Sequence, residues 1–524
     1  MKRSGNKKGI LSKVLLACLA VVFCLMSASA CAGTKADLVI TALQLGYGTE
    51  WLDAMAEAYE AEHDIDIEIR TRVGMASQTR LDEEINSFAS DTDLFFGKRG
   101  WFAEWVYKGS ISSRGETYPC LFANLDDVWG DVVDEGTTLT IADKMDPTYA
   151  EAFKIEGHYY SMPWAGGVYG VVRNVSVWED ELHLTDADIP LTTNQLFDLC
   201  DEIKDEVAPF IYSLEQEYYT AWLPIFFGQY EGVQNARNFM KGIDPDGNVS
   251  QYIYTYPGQL EALKVMQTLL DPDNEYQNPA SSGLDFTSMQ GQFLSGEALF
   301  CINGSWLENE AKTNFSDSRT DVIKTPVISS LVSKLSFHDQ LGSADAEEAK
   351  LVELIQYVDA VDAGQTPEQP AGVTEDDIKT VTEARHYAYM AGGIDHQAYI
   401  PSYSAHLEEA KDFLRFMYSD EGMTIYYQAL NGATLPATPV TAYPDIEMTE
   451  FRVSVNQATE EGFVYDREPK ERYFVLGKVS ACFENGVDPI VELLAGTDPQ
   501  KILNLNTEAI DDKWDSIQEL LGLI

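Results

Sequence analysis

The chain has 524 residues, of which 45% are hydrophobic and 23% charged; this is ordinary for a globular protein and excludes a disordered, collagen-like or multi-span membrane chain. Charge is the outlier, with 36 basic residues against 85 acidic ones and a formal net charge of −49. Such a surface repels phosphate backbones and anionic lipid, which argues against nucleic acid or polybasic membrane docking and favours solubility.

The first thirty residues read as a leader. Lys2, Arg3, Lys7, Lys8 and Lys13 give a basic start, and VLLACLAVVFCLM at 14–26 is an apolar run. That run is shorter than the roughly 20 residues needed to span a bilayer. Ser27, Ala28, Ser29 and Ala30 then supply small residues ahead of Cys31. This is the organisation of a secretory signal over 1–30. A cysteine directly after the small residues resembles the bacterial lipobox, with Ala28 where leucine is usual. The resemblance implies lipidation at Cys31 and a bacterial, extracytoplasmic protein anchored to the cell membrane. Ordinary cleavage near Ala30 or Ala32, with free secretion, is the alternative. Of the other cysteines, Cys18 and Cys24 leave with the leader. Cys120, Cys200, Cys301 and Cys482 are widely spaced with no CxxC, so zinc-type spacing is absent. Disulfide pairing and buried free thiols both stay open.

The mature chain alternates α and β. LVITALQL at 38–45 is a β-branched apolar run ended by Gly46-Tyr47-Gly48-Thr49, with Thr49 as a helix N-cap. Leu52, Met55, Ala56 and Tyr59 then recur at helical spacing, and Ile65, Ile67 and Ile69 alternate with acids as in a strand. Strand, helix and strand in about thirty residues form a βαβ unit and predict a parallel sheet. Ligands of open α/β sheets sit beyond the carboxyl ends of the strands, which makes Tyr47 and Trp51 rim candidates. DLFF at 93–96 ends a strand before Arg99 and Trp101. Further expectations are a strand at 168–172, helices at 192–206, 258–270 and 405–418, and a helical insert at 344–390. Thr374 and Asp377 form a capping-box variant within that insert. Asp244, Asp246 and Asn248 mimic the start of a calcium loop, but its twelfth position falls on Thr255 rather than Glu, so the segment reads as a β-turn. Asp271, Asp273 and Asn274 are a similar case.

Six segments share the order of a known family. They are the strand–loop–helix of 38–60; Thr92–Phe96 with Trp101; Gly157–Trp164 running on to Arg173-Asn174; Phe293–Phe300 with Gly304-Ser305-Trp306; Ile400-Pro401-Ser402 with Glu408–Leu414; and Asn431–Pro436. Together they resemble the extracellular solute-binding proteins of ABC importers, in particular the carbohydrate-binding family that includes maltose-binding protein. Arg173 departs from the family pattern, which has tyrosine there.

The resemblance implies an α/β, two-lobed periplasmic-binding-protein-like fold with a hinge and an interlobe ligand cleft. Lobe one would take 36–158 and 326–434, with the insert at about 344–390; lobe two would take 159–325 and 435–524. It further implies a monomer that binds a carbohydrate and is recognised by permease subunits of an ABC transporter; no cofactor and no metal ligand are assigned from the sequence, which leaves calcium binding open. A sugar ring has apolar C–H faces and a hydroxyl rim, suited to flat aromatics and to carboxylate, amide or guanidinium groups respectively. On that basis the candidate ligand residues are Trp306, Trp164, Tyr47, Trp51, Trp101, Arg99, Trp222 and Asn303. Trp306 leads, because the tryptophan of the matching family segment stacks on sugar. Each aromatic has a plainer reading as core packing, Arg99 as a solvated charge, and His396 and Gln397 read as surface-loop residues.

Enzymatic signals are poor: HExxH, GxSxG, Walker A and GxGxxG are all missing from the sequence. With 85 carboxylates, acidic pairs carry little weight as a glycosidase signature. The expectation is therefore a non-enzymatic receptor for a sugar. The alternatives are a secreted glycan hydrolase and a binding protein for a peptide or polyamine.

Overall fold

A computed structural model describes residues 36–524 except 75–76, 99–101, 215–218, 312–317, 393–395, 462–463, 466–469 and 482–484. Arg99, Trp101, Cys31 and Cys482 lie outside the described residues. The strands used below are, in chain order, β1 (Leu38–Leu43), β2 (Ile67–Arg72), β3 (Leu94–Lys98), β4 (Met162–Pro163), β5 (Val168–Asn174), β6 (Ala208–Ile211), β7 (Ala298–Gly304), β8 (Thr320–Ile323), β9 (Tyr389–Ala391), β10 (His396–Tyr399) and β11 (Val464–Tyr465).

They build two sheets. The first has the order β2-β1-β3-β10-β4, and the second β6-β7-β5-β9-β11 with β8 also on β5. In the first sheet β1 pairs in parallel with β2, from Leu38↔Ile67 to Leu43↔Arg72, and with β3. The intervening helix Glu50–Glu62 buries Leu52, Met55, Ala56 and Tyr59, so the one-sided spacing faces the core. Thr49 holds the N-cap position, but its side chain makes no capping bond. All six residues of β1 and all seven of β5 are buried, as continuous apolar runs in covered strands should be.

Later elements follow the sequence closely. The helices run Thr193–Ile203, Pro257–Leu270 and Leu407–Met417. Thr192 caps the first of these by accepting the Gln195 N–H. The Thr374–Asp377 box is present in both directions. The Asp244 carboxylate accepts the N–H groups of Asp246 (3.0 Å) and Asn248 (2.9 Å) and the Ser250 hydroxyl (2.6 Å), so it is occupied in closing its own turn.

Each sheet has its own core, and together they form the two lobes. One apolar cluster joins Leu38, Trp51, Met55, Trp129, Phe413 and Tyr426. A separate one joins Trp178, Phe210, Trp222, Phe300, Leu351 and Val381. Membership of these cores alters the expected lobe boundaries. Residues 159–165 stay with lobe one, because β4 pairs with β10. The segment 326–391, expected in lobe one, packs with lobe two. Val327, Leu331, Leu354, Ile355 and Ala384 lie in the second cluster, and β9 pairs with β5. The insert is helical over Ala344–Asp362 and Glu375–His386, but it ends in this sheet strand.

Residues 164–168 pass from lobe one to lobe two, and Gly392 and Leu435 touch that crossing, while Val440 still packs in the lobe-one core. Gly166 N–H donates to Leu435 O (2.9 Å), and Gly392 N–H to Gly167 O (2.9 Å). Gly167 has φ +97°, a conformation that side chains with a Cβ rarely adopt. A Cβ there would also stand 2.4 Å from Ser305 Oγ and 2.8 Å from Thr434 Oγ1. This close-packed junction is the candidate hinge.

Candidate ligand site between the lobes

The loop leaving the carboxyl end of β1 meets the segment leaving β7. Tyr47 OH shares a hydrogen bond with Ser305 Oγ (2.5 Å), and Asn309 Nδ2 donates to Gly46 O (2.5 Å). Both bonds join lobe one to lobe two. The approach is so close that a Cβ on Gly46 would lie 2.5 Å from Trp306 Cβ. Gly304 serves a similar purpose, since a Cβ there would lie 2.3 Å from the Trp306 ring.

Trp306 is half-buried. Its ring stacks on Tyr169 (centroids 5.8 Å apart, 27°) and meets Tyr47 edge-on (6.4 Å, 80°). Across the seam Trp164 is 2% exposed, edge-on to Tyr47 (6.2 Å) and His396 (4.9 Å) and stacked on Trp51 (4.7 Å, 29°). The structure thus brings Tyr47, Trp164 and Trp306 together, with Trp51 behind them in the lobe-one core. His396 completes the group, 6.4 Å from Trp306. It belongs to β10 and is buried, as is Gln397, so the surface-loop reading of both is corrected.

Two other candidates sit differently. Trp222 is fully buried in lobe two, edge-on to Phe210 (5.1 Å) and tilted against Tyr219 and Phe226. Its aromatic-dense helix packs the interior rather than the seam. Asn303 is fully buried in β7, where its Oδ1 accepts the Gly304 N–H (2.8 Å). Among the described residues its Nδ2 has no partner, and the same holds for the indole N–H groups of Trp51 and Trp164 and for Tyr426 OH. Buried donors without partners are uncommon, and ordered water or a bound molecule usually satisfies them.

Several seam residues escaped the sequence reading. Glu310 Oε2 accepts from Gln290 Nε2 (2.8 Å), and a Cβ on Gly46 would stand 3.1 Å from its Oε1. Burial raises the Glu310 pKa, opposed by the Gln290 bond and by the positive charge of Lys98 at the end of β3. Ser305 lay inside the quoted Gly304-Ser305-Trp306 segment, whereas Tyr169, Gln290 and Asn309 carried no distinguishing local signal. Arg173, the departure from the family pattern, is explained by its partners. Its guanidinium binds Asp321 on β8 (2.9 and 2.6 Å) and Asp186 (3.3 Å), a buried charge compensated by carboxylates.

A second patch joins the lobes elsewhere. Tyr107 OH donates to Lys470 O (2.7 Å), Arg472 Nε binds Glu156 Oε1 (2.8 Å), and the Arg472 guanidinium lies 4.8 Å from the Tyr107 ring centre.

The sequence profile of the bacterial extracellular solute-binding proteins matches residues 54–450, most of the chain. The chain belongs to that family. As a solute-binding protein it is assigned outside the cytoplasm, and among the described residues no helix is long and apolar enough to cross a membrane. The maltotriose-binding protein of Pyrococcus abyssi is 24% identical over 214 residues, which is 41% of this chain and 38% of that protein's length. Solved solute-binding proteins share the two-lobed fold. RafE in complex with raffinose superposes with a TM-score of 0.58 at 15% identity, over 91% of this chain and 99% of RafE. Maltose-bound MalE3 of T. maritima gives 0.58 at 14%, over 90% and 98%. A chitin oligosaccharide binding protein gives 0.57 at 16%, over 91% and 98%.

Proposed function

We propose that this chain is the lipid-anchored substrate-binding component of an ABC importer. It captures a sugar or oligosaccharide between its lobes, without chemical change, and delivers it to the membrane permease. The observation that carries this reading is the half-buried Trp306 ring of lobe two beside Tyr47 and Trp164 of lobe one. A flat, half-buried indole at the seam suits the apolar face of a pyranose. The raffinose, maltose and maltotriose named for the proteins it resembles support the same ligand class. The anchor rests on the lipobox-like segment ending at Cys31.

A thermal-shift screen of mature protein against a glycan panel tests the proposal. A ligand at 100 times its Kd stabilises the folded state by about 2.7 kcal/mol. For the best binder, Trp306→Ala is expected to remove the shift. An unchanged shift would take Trp306 out of the site. Release of new reducing ends from the glycan would overturn the non-catalytic reading. The anchor is checked by incorporation of labelled fatty acid into cells, expected to vanish in Cys31→Ser.

A further inference from the structure

We propose that Glu310 is the carboxylate with which lobe two accepts a hydroxyl of the guest, and that Gln290 positions it. The inference deepens the solute-binding reading above and depends on it. Glu310 sits on the short helix Leu307–Ala311 that follows Trp306, so ring and carboxylate leave the same turn of chain. The residue keeps exposed surface while its carboxyl is crowded by surrounding protein, with Oε1 beside Gly46 of the other lobe. Its hydrogen-bond partner from lobe two is neutral: the Gln290 amide, from a side chain that is 4% exposed and belongs to the helix Phe286–Leu294. Burying an amide has a desolvation cost, which the bond to one carboxylate oxygen offsets while fixing the orientation of the other.

The chemistry of the guest follows from the charges. An ionised carboxylate only accepts, so it selects for O–H or N–H donors, and such charge-assisted bonds are the strong ones. An ammonium guest would also satisfy Glu310, so a polyamine is the competing ligand that the titration includes.

Calorimetric titration of the mature chain with maltotriose, raffinose, chitotriose and spermidine tests this. The parent is expected to bind one of the three glycans and not spermidine. Glu310→Gln preserves shape and removes the charge, and is expected to weaken that glycan about tenfold or more with an unchanged melting temperature. Gln290→Ala is expected to weaken it severalfold in the parent background and to add nothing in Glu310→Ala, as a positioning residue must. Glycan affinity in Glu310→Gln within twofold of the parent would overturn the role of Glu310 while leaving the solute-binding reading intact. Additive losses in the double variant would overturn the role of Gln290. Spermidine binding in preference to every glycan would overturn the hydroxyl as the group Glu310 accepts, and a parent that bound no glycan would defeat the underlying sugar reading itself.

Discussion

The two patches that join the lobes differ in how water reaches them. At the hinge side the joining groups are sealed. Tyr47 is 1% exposed, Ser305 is 1% exposed, and Gly167 is packed against both with no room for a methyl group. At the second patch the Arg472 and Glu156 side chains are each 46% exposed. Coulomb attraction between exposed groups is screened and contributes little, whereas packed aromatic surface contributes in proportion to the area removed from water. The sealed side is therefore the stiffer of the two, and the Arg472 contacts can break and re-form at small cost.

Substitutions on the two sides should separate these roles. The largest effect is expected from Trp164→Ala, which empties a buried indole site in the lobe-one core and should lower unfolding stability by about 4 kcal/mol. Urea denaturation measures it, and a loss under about 1 kcal/mol would mean that the seam is not packed as described. Next is Gly167→Ala, which forces a Cβ into a left-handed position against Ser305 and Thr434, at a cost of about 3 kcal/mol. If its unfolding midpoint matched the parent, the hinge could not be the rigid element of the comparison. The smallest effect is expected from Arg472→Ala, under about 1 kcal/mol in stability. Its signature is shape instead: small-angle scattering of the unliganded variant should give a larger radius of gyration than the parent. High salt should push the parent the same way, and identical curves would remove the Arg472 patch from any part in closure.

The opening βαβ unit was legible because the helical face of Leu52, Met55, Ala56 and Tyr59 and the alternation of Ile65, Ile67 and Ile69 are local patterns that the tertiary fold did not override. The allegiance of residues 326–391 was not. Nothing in the helical periodicity of the insert says which sheet it will cover, and β9 is only three residues long. The site was half legible for a related reason. An aromatic at helical spacing looks the same in sequence whether it faces a seam, as Tyr47 and Trp164 do from their loops, or an interior, as Trp222 does. His396 and Gln397 look like surface residues because they are polar and follow a Gly-Gly stretch. What buries them is β10 lying between β3 and β4, a long-range pairing. Glu310 was one acid among 85, and only its neighbours distinguish it.

Among the described residues, Cys120, Cys200 and Cys301 are unbridged and buried, and burial raises the pKa of each thiol. Cys120 lies in a lobe-one cluster, while Cys200 and Cys301 lie under lobe two. A thiol held protonated and out of solvent neither oxidises nor reacts with alkylating reagents while its surroundings stay folded. These sulfurs are thus natural clocks for each half: the rate at which a maleimide captures Cys120, set against the rates for Cys200 and Cys301, times the breathing of one body independently of the other.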